Sequence, residues 1–197
     1  VGLANRGVAK AIEQIRSYSP RVWRDFPLSV SVAKTNSPKQ VRPKQAIADY
    51  CDSLRQLEAA GCAPLYEINI SCPNAYGGEP FTTPARLKKL LTAVDELKLS
   101  RPVFIKMPTD KTWTQFAKLL SIIDKHNVAG LTIGNLVKDR SKLTDPSVLP
   151  DDIPGSLSGR PAQAITTRLI HKTYALYGDR FVIIGVGGVF TAEDAYE

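Results

Sequence analysis

A thiol lies between two carboxamides in the segment YEINISCPN, where Asn69, Cys72 and Asn74 follow an apolar, β-branched run. An amide at the end of a buried strand must find hydrogen-bond partners, and it offers two donors and one acceptor. Most buried thiols are inert small hydrophobic groups, but a cysteine in a polar loop past a strand end can also act in catalysis. The segment therefore predicts a polar ligand site and leaves both roles open for Cys72.

Two further polar residues come at the ends of apolar runs. Lys106 interrupts PVFIKMP, where a lysine needs a partner or a solvated exit. Because this run has the pattern of a central strand, we interpret Lys106 as a cation directed at a ligand rather than as an edge residue. Asn135 ends the motif TIGN. Together with Asn69 and Asn74 it gives three carboxamides, which suit a planar ligand with amide and carbonyl edges.

Two glycine-rich segments are compatible with an anion. GVGG at 185–188 follows an apolar strand, and GSLSGRP at 155–161 precedes a helix. Glycine lets backbone amides approach a phosphate closely, and a helix N-terminus adds partial positive charge. Taken alone, the first segment could instead be a tight turn, although an anion site fits it better, and the second is equally well explained as a flexible loop.

Composition limits the classes of protein that fit. The chain has 197 residues, of which 43% are hydrophobic and 23% charged, so it reads as one soluble domain over 1–197. The longest apolar run is much shorter than a bilayer span, and the first residues lack the apolar core of a signal peptide. The net charge of +7 is scattered over predicted helix surfaces, so we predict no nucleic-acid partner.

Cysteine and histidine usage argues against a metal centre. The three cysteines form no C-x-x-C pair, and only two histidines are present. A zinc site would have too few ligands, so we predict no metal. The same usage favours a reducing, cytosolic environment.

Short β-branched runs alternate with helical patterns, which is typical of parallel βα units. The predicted strands are 28–33, 65–70, 103–107, 130–133 and 181–186, and the predicted helices are 43–60, the segment that begins after Thr83, 112–125 and 161–177. We also predict that Thr191 and Asp194 form a capping box that begins one more helix.

The positions of the polar residues separate two α/β architectures. Asn69, Lys106, Asn135 and the Gly187-Gly188 pair come at the carboxyl ends of four different strands, the rim at which (β/α)8 barrels bind ligands. No G-x-G-x-x-G motif follows the first strand, which argues against a doubly wound sheet. Five strands cannot close a barrel of eight, so we predict a partial TIM barrel cut at both ends.

The motifs NISCPN, VFIKMP, TIGN, GSLSGRP and IIGVGGV, in this order and at these separations, resemble those of the dihydroorotate dehydrogenases. The resemblance extends to GLAN at 2–5 and LSVSVAK at 28–34. It implies a (β/α)8 barrel, present here from strand three to strand seven. It also implies an FMN enzyme that oxidises dihydroorotate to orotate in pyrimidine (UMP) biosynthesis. The chain by itself is expected neither to fold stably nor to bind FMN tightly, because an unclosed barrel exposes strand edges.

The resemblance also implies roles for individual residues. Cys72 is the expected catalytic base. The expected cofactor-binding residues are Ser31, Asn69, Lys106, Gly134, Gly159, Gly187 and Gly188. The expected substrate-binding residues are Gly2, Leu3, Asn69, Asn74 and Asn135.

The motifs mix two classes of this family. Cysteine as the base is similar to the soluble class-1 enzymes, whereas GSLSGRP and NLVKDR are similar to the membrane-associated class-2 enzymes. Leu136 replaces a common hydroxyl residue, and Ser156 replaces a glycine. Fumarate, a quinone and a NAD-linked subunit therefore all stay open as electron acceptor. The expected location is cytoplasmic, with a homodimer and peripheral membrane association through a preceding N-terminal segment as compatible alternatives.

Two other functions fit part of the pattern. A related FMN-dependent pyrimidine reductase would share the cofactor motifs and take electrons from a reduced nicotinamide. A non-catalytic barrel that binds FMN or phosphate would keep the glycine motifs without needing Cys72.

Overall fold

The computed structural model describes residues 3, 5–26, 28–72, 76–143, 153 and 155–196. Its strands are β1 (Ser29–Ala33), β2 (Leu65–Asn69), β3 (Val103–Met107), β4 (Gly130–Ile133) and β5 (Val182–Gly185). Its helices are α1 (Val8–Arg16), α2 (Pro20–Asp25), α3 (Pro43–Ala60), α4 (Pro84–Asp95), α5 (Trp113–Ile123), α6 (Arg160–Tyr177) and α7 (Ala192–Tyr196), with short 3₁₀ helices at Pro38–Gln40 and Arg140–Lys142. All of the predicted strands and helices are present, with boundaries shifted by two residues at most.

The five strands form one parallel sheet whose spatial order equals the chain order, β1-β2-β3-β4-β5. Each crossover connection therefore places the next strand beside the previous one, always in the same direction across the sheet. A doubly wound sheet would reverse its order at a switch point, so this topology is the one expected for a segment of a (β/α)8 barrel.

One face of the sheet packs against the helices and forms the core. Alternate strand residues such as Tyr66, Ile68 and Ile105 are fully buried there, against the apolar sides of α3, α4 and α5. Cys51 of α3 is also buried in this layer.

The other face carries the polar strand residues, and the register aligns them. Ala33, Asn69, Lys106, Thr132 and Ile184 form one row across all five strands. Ser31 pairs with Glu67 one layer below. Val182 and Ile184 on β5 are largely exposed on this face. This face is the one that lines the interior of a barrel.

The helix ends agree with most of the sequence signals. Gly61 ends α3 in a left-handed conformation. At the start of α7, Asp194 accepts hydrogen bonds from the amides of Phe190 and Thr191, and its own amide donates to Thr191 Oγ1. Thr83 is the N-cap residue of α4, but its side chain makes no capping hydrogen bond. No helix in the described part of the chain is both long and apolar enough to span a bilayer.

Glu58 of α3 links three elements and gives the fold a pH-dependent contact. Its carboxylate accepts hydrogen bonds from Ser100 N at 2.8 Å and from Tyr66 Oη at 3.0 Å. These bonds, those from Ser100 first, hold the pKa of Glu58 below its ordinary value of 4.5. A depressed pKa in the folded state stabilises the protein at neutral pH, and this contribution is lost as the pH falls through that pKa.

We therefore expect Glu58→Gln to lower the free energy of unfolding of the full-length protein by about 1 kcal/mol at pH 7. The difference from the wild type should shrink as the pH falls below about 4.5, where Glu58 of the unfolded chain becomes protonated, and should be lost once the pH is below the lowered pKa of the folded protein. Urea unfolding at several pH values measures this. Glu96→Gln, at an exposed position after α4, is the matched control and should give no comparable difference. A Glu58→Gln deficit that stays constant down to pH 3 would contradict the assignment.

Candidate active site

Ser71, which was not among the predicted site residues, is the centre of the hydrogen-bond network at the carboxyl end of the sheet. The residue is 1% exposed, and its Oγ donates to the Lys106 carbonyl oxygen at 3.0 Å. Asn69 Oδ1 accepts from Ser71 N at 3.1 Å, and Asn135 Nδ2 donates to Ser71 O at 2.8 Å and to Ser71 Oγ at 2.5 Å. One serine thus connects the ends of β2, β3 and β4. Its position between Asn69 and Cys72 was the available signal.

This network brings two of the three predicted carboxamides together and shows what each still offers. Asn135 Oδ1 accepts from the amide of Leu136 at 2.8 Å, so both ends of that carboxamide have protein partners. Asn69 uses its oxygen for Ser71, and its Nδ2 has no hydrogen-bond partner among the described residues. The donor side of Asn69 is therefore available to a ligand. Asn74 and Gly2 lie outside the described residues.

Lys106 lies next to Asn69 in the register, on the inner face of the central strand β3. The side chain is half-buried, and its Nζ has no hydrogen bond or ion pair with any residue that the structure describes. Thr132 follows in the same row and is 4% exposed, with an Oγ1 atom that also lacks a partner among the described residues. Partly buried cations and buried hydroxyls normally have hydrogen-bond partners. The unpaired groups of this row are therefore available to bind a polar ligand.

Cys72 is half-buried in the loop that follows β2 and does not belong to the apolar core. Lys34 after β1 and Tyr50 of α3 are the polar groups whose charges interact with that of Cys72. Burial raises the pKa of Tyr50, whose hydroxyl donates to the Asn69 carbonyl oxygen at 2.7 Å. Cys72 thus has polar neighbours, as a catalytic assignment requires.

Ser31 lies on the inner face of the sheet, one layer below the row of Asn69 and Lys106. Ser31 Oγ donates to Glu67 Oε1 at 2.7 Å on the inner face. Ser31 and Leu3 also line a cleft of about 1140 Å³ beside β1 and α1, and none of Asn69, Cys72, Lys106 and Asn135 lines this cleft. Glu67 was not predicted as a site residue, although its i, i+2 spacing from Asn69 places both on one face of β2.

The glycine motifs come together at the other edge of the sheet. Gly159 is the N-cap residue of α6, and a Cβ on Gly188 would lie 2.5 Å from the Cβ of Gln163 in the first turn of that helix. The GVGG loop therefore packs directly on the helix N-terminus, and Gly187 lies beside Ala162. Only glycine allows this approach at 188, where φ is +82°. Both predicted anion sites thus form a single cradle.

Gly134 has a different role from that of the cradle glycines. A Cβ at this position would lie 1.8 Å from the Val186 carbonyl oxygen, so the close contact between the ends of β4 and β5 requires glycine. The structure therefore gives Gly134 a packing function, and its predicted contact with a cofactor stays a prediction.

Hydrogen bonds and one ion pair connect the rim loops to one another. Lys138 Nζ lies 2.9 Å from Glu79 Oε1, whose side chain is 7% exposed, and the Lys138 amide donates to Asp110 Oδ2 at 2.9 Å. Thr109 Oγ1 donates to the Leu136 carbonyl oxygen at 2.8 Å. The loops after β2, β3 and β4 are thus held together at the rim, which fixes the groups between them before any ligand binds.

The comparisons of this chain with known proteins agree on one family. Residues 1–197 match the family described as dihydroorotate dehydrogenase. A dihydroorotate dehydrogenase (quinone) of a Cyanothece species is 32% identical over 100% of this chain and 53% of its own length. The protein of the same description from Mycolicibacterium smegmatis is 30% identical over 100% of this chain and 52% of its own length.

A solved structure shows the same fold. The DHODH of Eimeria tenella, crystallised with ferulenol, superposes with a TM-score of 0.83 at 21% identity, over 99% of this chain and 57% of that one. This likeness confirms the predicted partial barrel. The chain spans about half the length of the relatives that it matches.

Proposed function

Because the chain belongs to the dihydroorotate dehydrogenase family, we propose that its protein oxidises dihydroorotate to orotate with FMN as hydride acceptor, in pyrimidine (UMP) biosynthesis. One observation carries the proposal. Ser71, the residue before Cys72 in the sequence, forms hydrogen bonds that hold Asn69, Lys106 and Asn135 together at one rim. The Lys106 ammonium and the Asn69 NH₂ group keep their donors free of partners among the described residues.

The residues present fit FMN. The cradle of Gly159, Gly187 and Gly188 presents backbone amides and a helix N-terminus to a phosphate. The row of Lys106 and Thr132 offers a cation and a hydroxyl to a polar ring edge. Residues 1–197 would then form part of one FMN-binding barrel domain, with Gly134 and Ser31 as further contacts.

When bound, FMN supplies at N5 the acceptor for the hydride that leaves C6 of dihydroorotate. Cys72 takes the proton from C5 onto its sulfur, so that loss of one proton and one hydride leaves the C5–C6 double bond of orotate. Lys106 would hold a fixed positive charge beside the bound cofactor, where it would stabilise the negative charge gained on reduction. Asn69, Asn74 and Asn135, with the backbone of Gly2 and Leu3, bind the polar edges and carboxylate of the substrate.

We propose a quinone as the electron acceptor. Relatives at about a third identity are described as quinone enzymes, which favours a quinone over fumarate or a NAD-linked subunit. Quinones dissolve in lipid, so this acceptor is compatible with peripheral attachment to the cytoplasmic membrane rather than a purely cytoplasmic location. Homodimer formation stays a prediction.

Anaerobic titration of the full-length, flavin-loaded protein tests the proposal. We expect dihydroorotate to bleach the visible flavin absorbance with one equivalent per site, and a quinone to restore it faster than fumarate or NAD⁺ does. Bleaching by NADPH but not by dihydroorotate would instead identify a pyrimidine reductase. Absence of bleaching by either compound, with flavin bound, would identify a non-catalytic barrel.

A further inference from the structure

Asp194, in the first turn of α7, connects the segment after the GVGG loop to helix α6. Its Oδ2 atom accepts from the amides of Phe190 at 2.8 Å and Thr191 at 2.9 Å, and its Oδ1 atom accepts from Gln163 Nε2 at 2.6 Å. A capping box explains the bond to Thr191, the residue before α7. It does not explain the bond to Gln163, which lies 31 residues away on a different helix. The carboxylate thus joins two separate elements.

The residues that Asp194 binds are the ones that contact the glycine cradle. Gln163 packs against Gly188, where a Cβ would lie 2.5 Å from the Cβ of Gln163. The Phe190 ring lies over Gly159, where a Cβ would be 3.5 Å from Phe190 Cζ. One carboxylate therefore fixes a neighbour of Gly188 on one side and a neighbour of Gly159 on the other.

Arg160, the first residue of α6, adds a second connection between the same elements. Its guanidinium carbon lies 4.9 Å from the centroid of the Phe190 ring, and its Nη1 donates to Gln163 Oε1 at 3.4 Å. Both ends of the Gln163 carboxamide are therefore bound, one by Arg160 and the other by Asp194. Hydrogen bonds, that from the Phe190 amide first, hold the pKa of Asp194 below its ordinary value, so the carboxylate is charged at neutral pH.

We propose that Asp194 is a positioning residue for the cofactor phosphate, because it holds the GVGG loop against the N-terminus of α6 through Gln163 and Phe190. The inference rests on the proposed function, since it takes the cradle as the site of the FMN phosphate. A loop that is already fixed has less conformational freedom to lose when the ligand binds. The charge of a carboxylate near this site would by itself oppose a phosphate. Positioning and charge therefore predict opposite effects when Asp194 is replaced.

Titration of the flavin-free full-length protein with FMN and, separately, with riboflavin tests the proposal, with flavin fluorescence as the signal. Riboflavin has the same ring and ribityl chain but no phosphate, so the ratio of the two Kd values isolates the phosphate site. We expect Asp194→Ala to raise the Kd for FMN roughly tenfold, the effect of losing one hydrogen bond to a charged group. The Kd for riboflavin should stay at the wild-type value.

A second variant breaks the same connection from α6. Gln163→Met removes the donor to Asp194 and keeps the apolar stem beside Gly188, so it should show the same selective loss of FMN affinity. The double variant should lose no more than the weaker-binding single variant, because both changes break one connection. Asp179→Ala, at an exposed position beyond the C-terminal end of α6, is the matched control and should change neither Kd. If Asp194→Ala does not fold, Gln163→Met carries the test.

Unchanged or tighter FMN binding by the Asp194 and Gln163 variants would overturn the proposal, and so would an equal loss of affinity for FMN and riboflavin, which indicates a general structural effect. These failures differ from failure of the proposed function. If the wild type prefers FMN and reduces it with dihydroorotate while the variants keep that preference, only the role of Asp194 is lost. If dihydroorotate does not reduce the wild-type flavin, the proposed activity is lost and the comparison of Kd values still decides on Asp194.

Discussion

Replacement of Cys72 by alanine is expected to slow reduction of the bound flavin by dihydroorotate by about 10² to 10⁴, the typical contribution of one positioned general base. The flavin should stay bound, because the predicted phosphate cradle at Gly159 and Gly188 and the Lys106 side chain lie on other elements. Anaerobic rapid mixing of the full-length protein with dihydroorotate measures the rate. The flavin spectrum before mixing measures occupancy.

Cys62→Ala is the matched control for this variant. Both cysteines are half-buried, but Cys62 lies before the start of β2 and Cys72 after its end, so they are at opposite ends of one strand. Cys62→Ala should reduce its flavin at the wild-type rate. Unchanged kinetics in Cys72→Ala would exclude Cys72 as the base that removes the C5 proton.

The sheet and the grouping at its rim follow from local sequence. Parallel strands buried on one face against helices need β-branched and apolar runs, and such runs locate all five strands here. Because the carboxyl ends of parallel strands lie at one edge, residues just past three of those ends must come close together. This reasoning predicts that Asn69, Lys106 and Asn135 share one rim, and the register and the Ser71 hydrogen bonds confirm it.

Long-range contacts are what the sequence does not show. Lys34 at a strand end has the pattern of a solvated lysine, and its burial depends on Tyr76, which is 42 residues away along the chain. The contacts of Ser71 could not be predicted for the same reason, since its partners Lys106 and Asn135 lie on β3 and beyond β4. Asn135 shows the converse: its carboxamide has partners in the protein, which local sequence could not indicate.

Lys106→Met is expected to slow flavin reduction by about 10² to 10³, the usual effect of removing one preorganised charge from an active site. The midpoint potential of the bound flavin should also become more negative, because the reduced cofactor loses a nearby cation. Rapid mixing measures the rate, and equilibration with a reference dye measures the potential. Lys118→Met, at an exposed position on α5, removes the same charge from the surface and should change neither quantity.

Stability distinguishes this role from a structural one. Lys106 is half-buried, and its ammonium group has no partner among the described residues. Methionine, which keeps the apolar stem, should therefore leave the unfolding free energy of the flavin-free full-length protein unchanged or slightly higher. A lysine that stabilised the fold through a contact would instead lower that free energy when replaced. A destabilised flavin-free variant with an unchanged flavin potential would therefore exclude Lys106 as the charge that faces the cofactor.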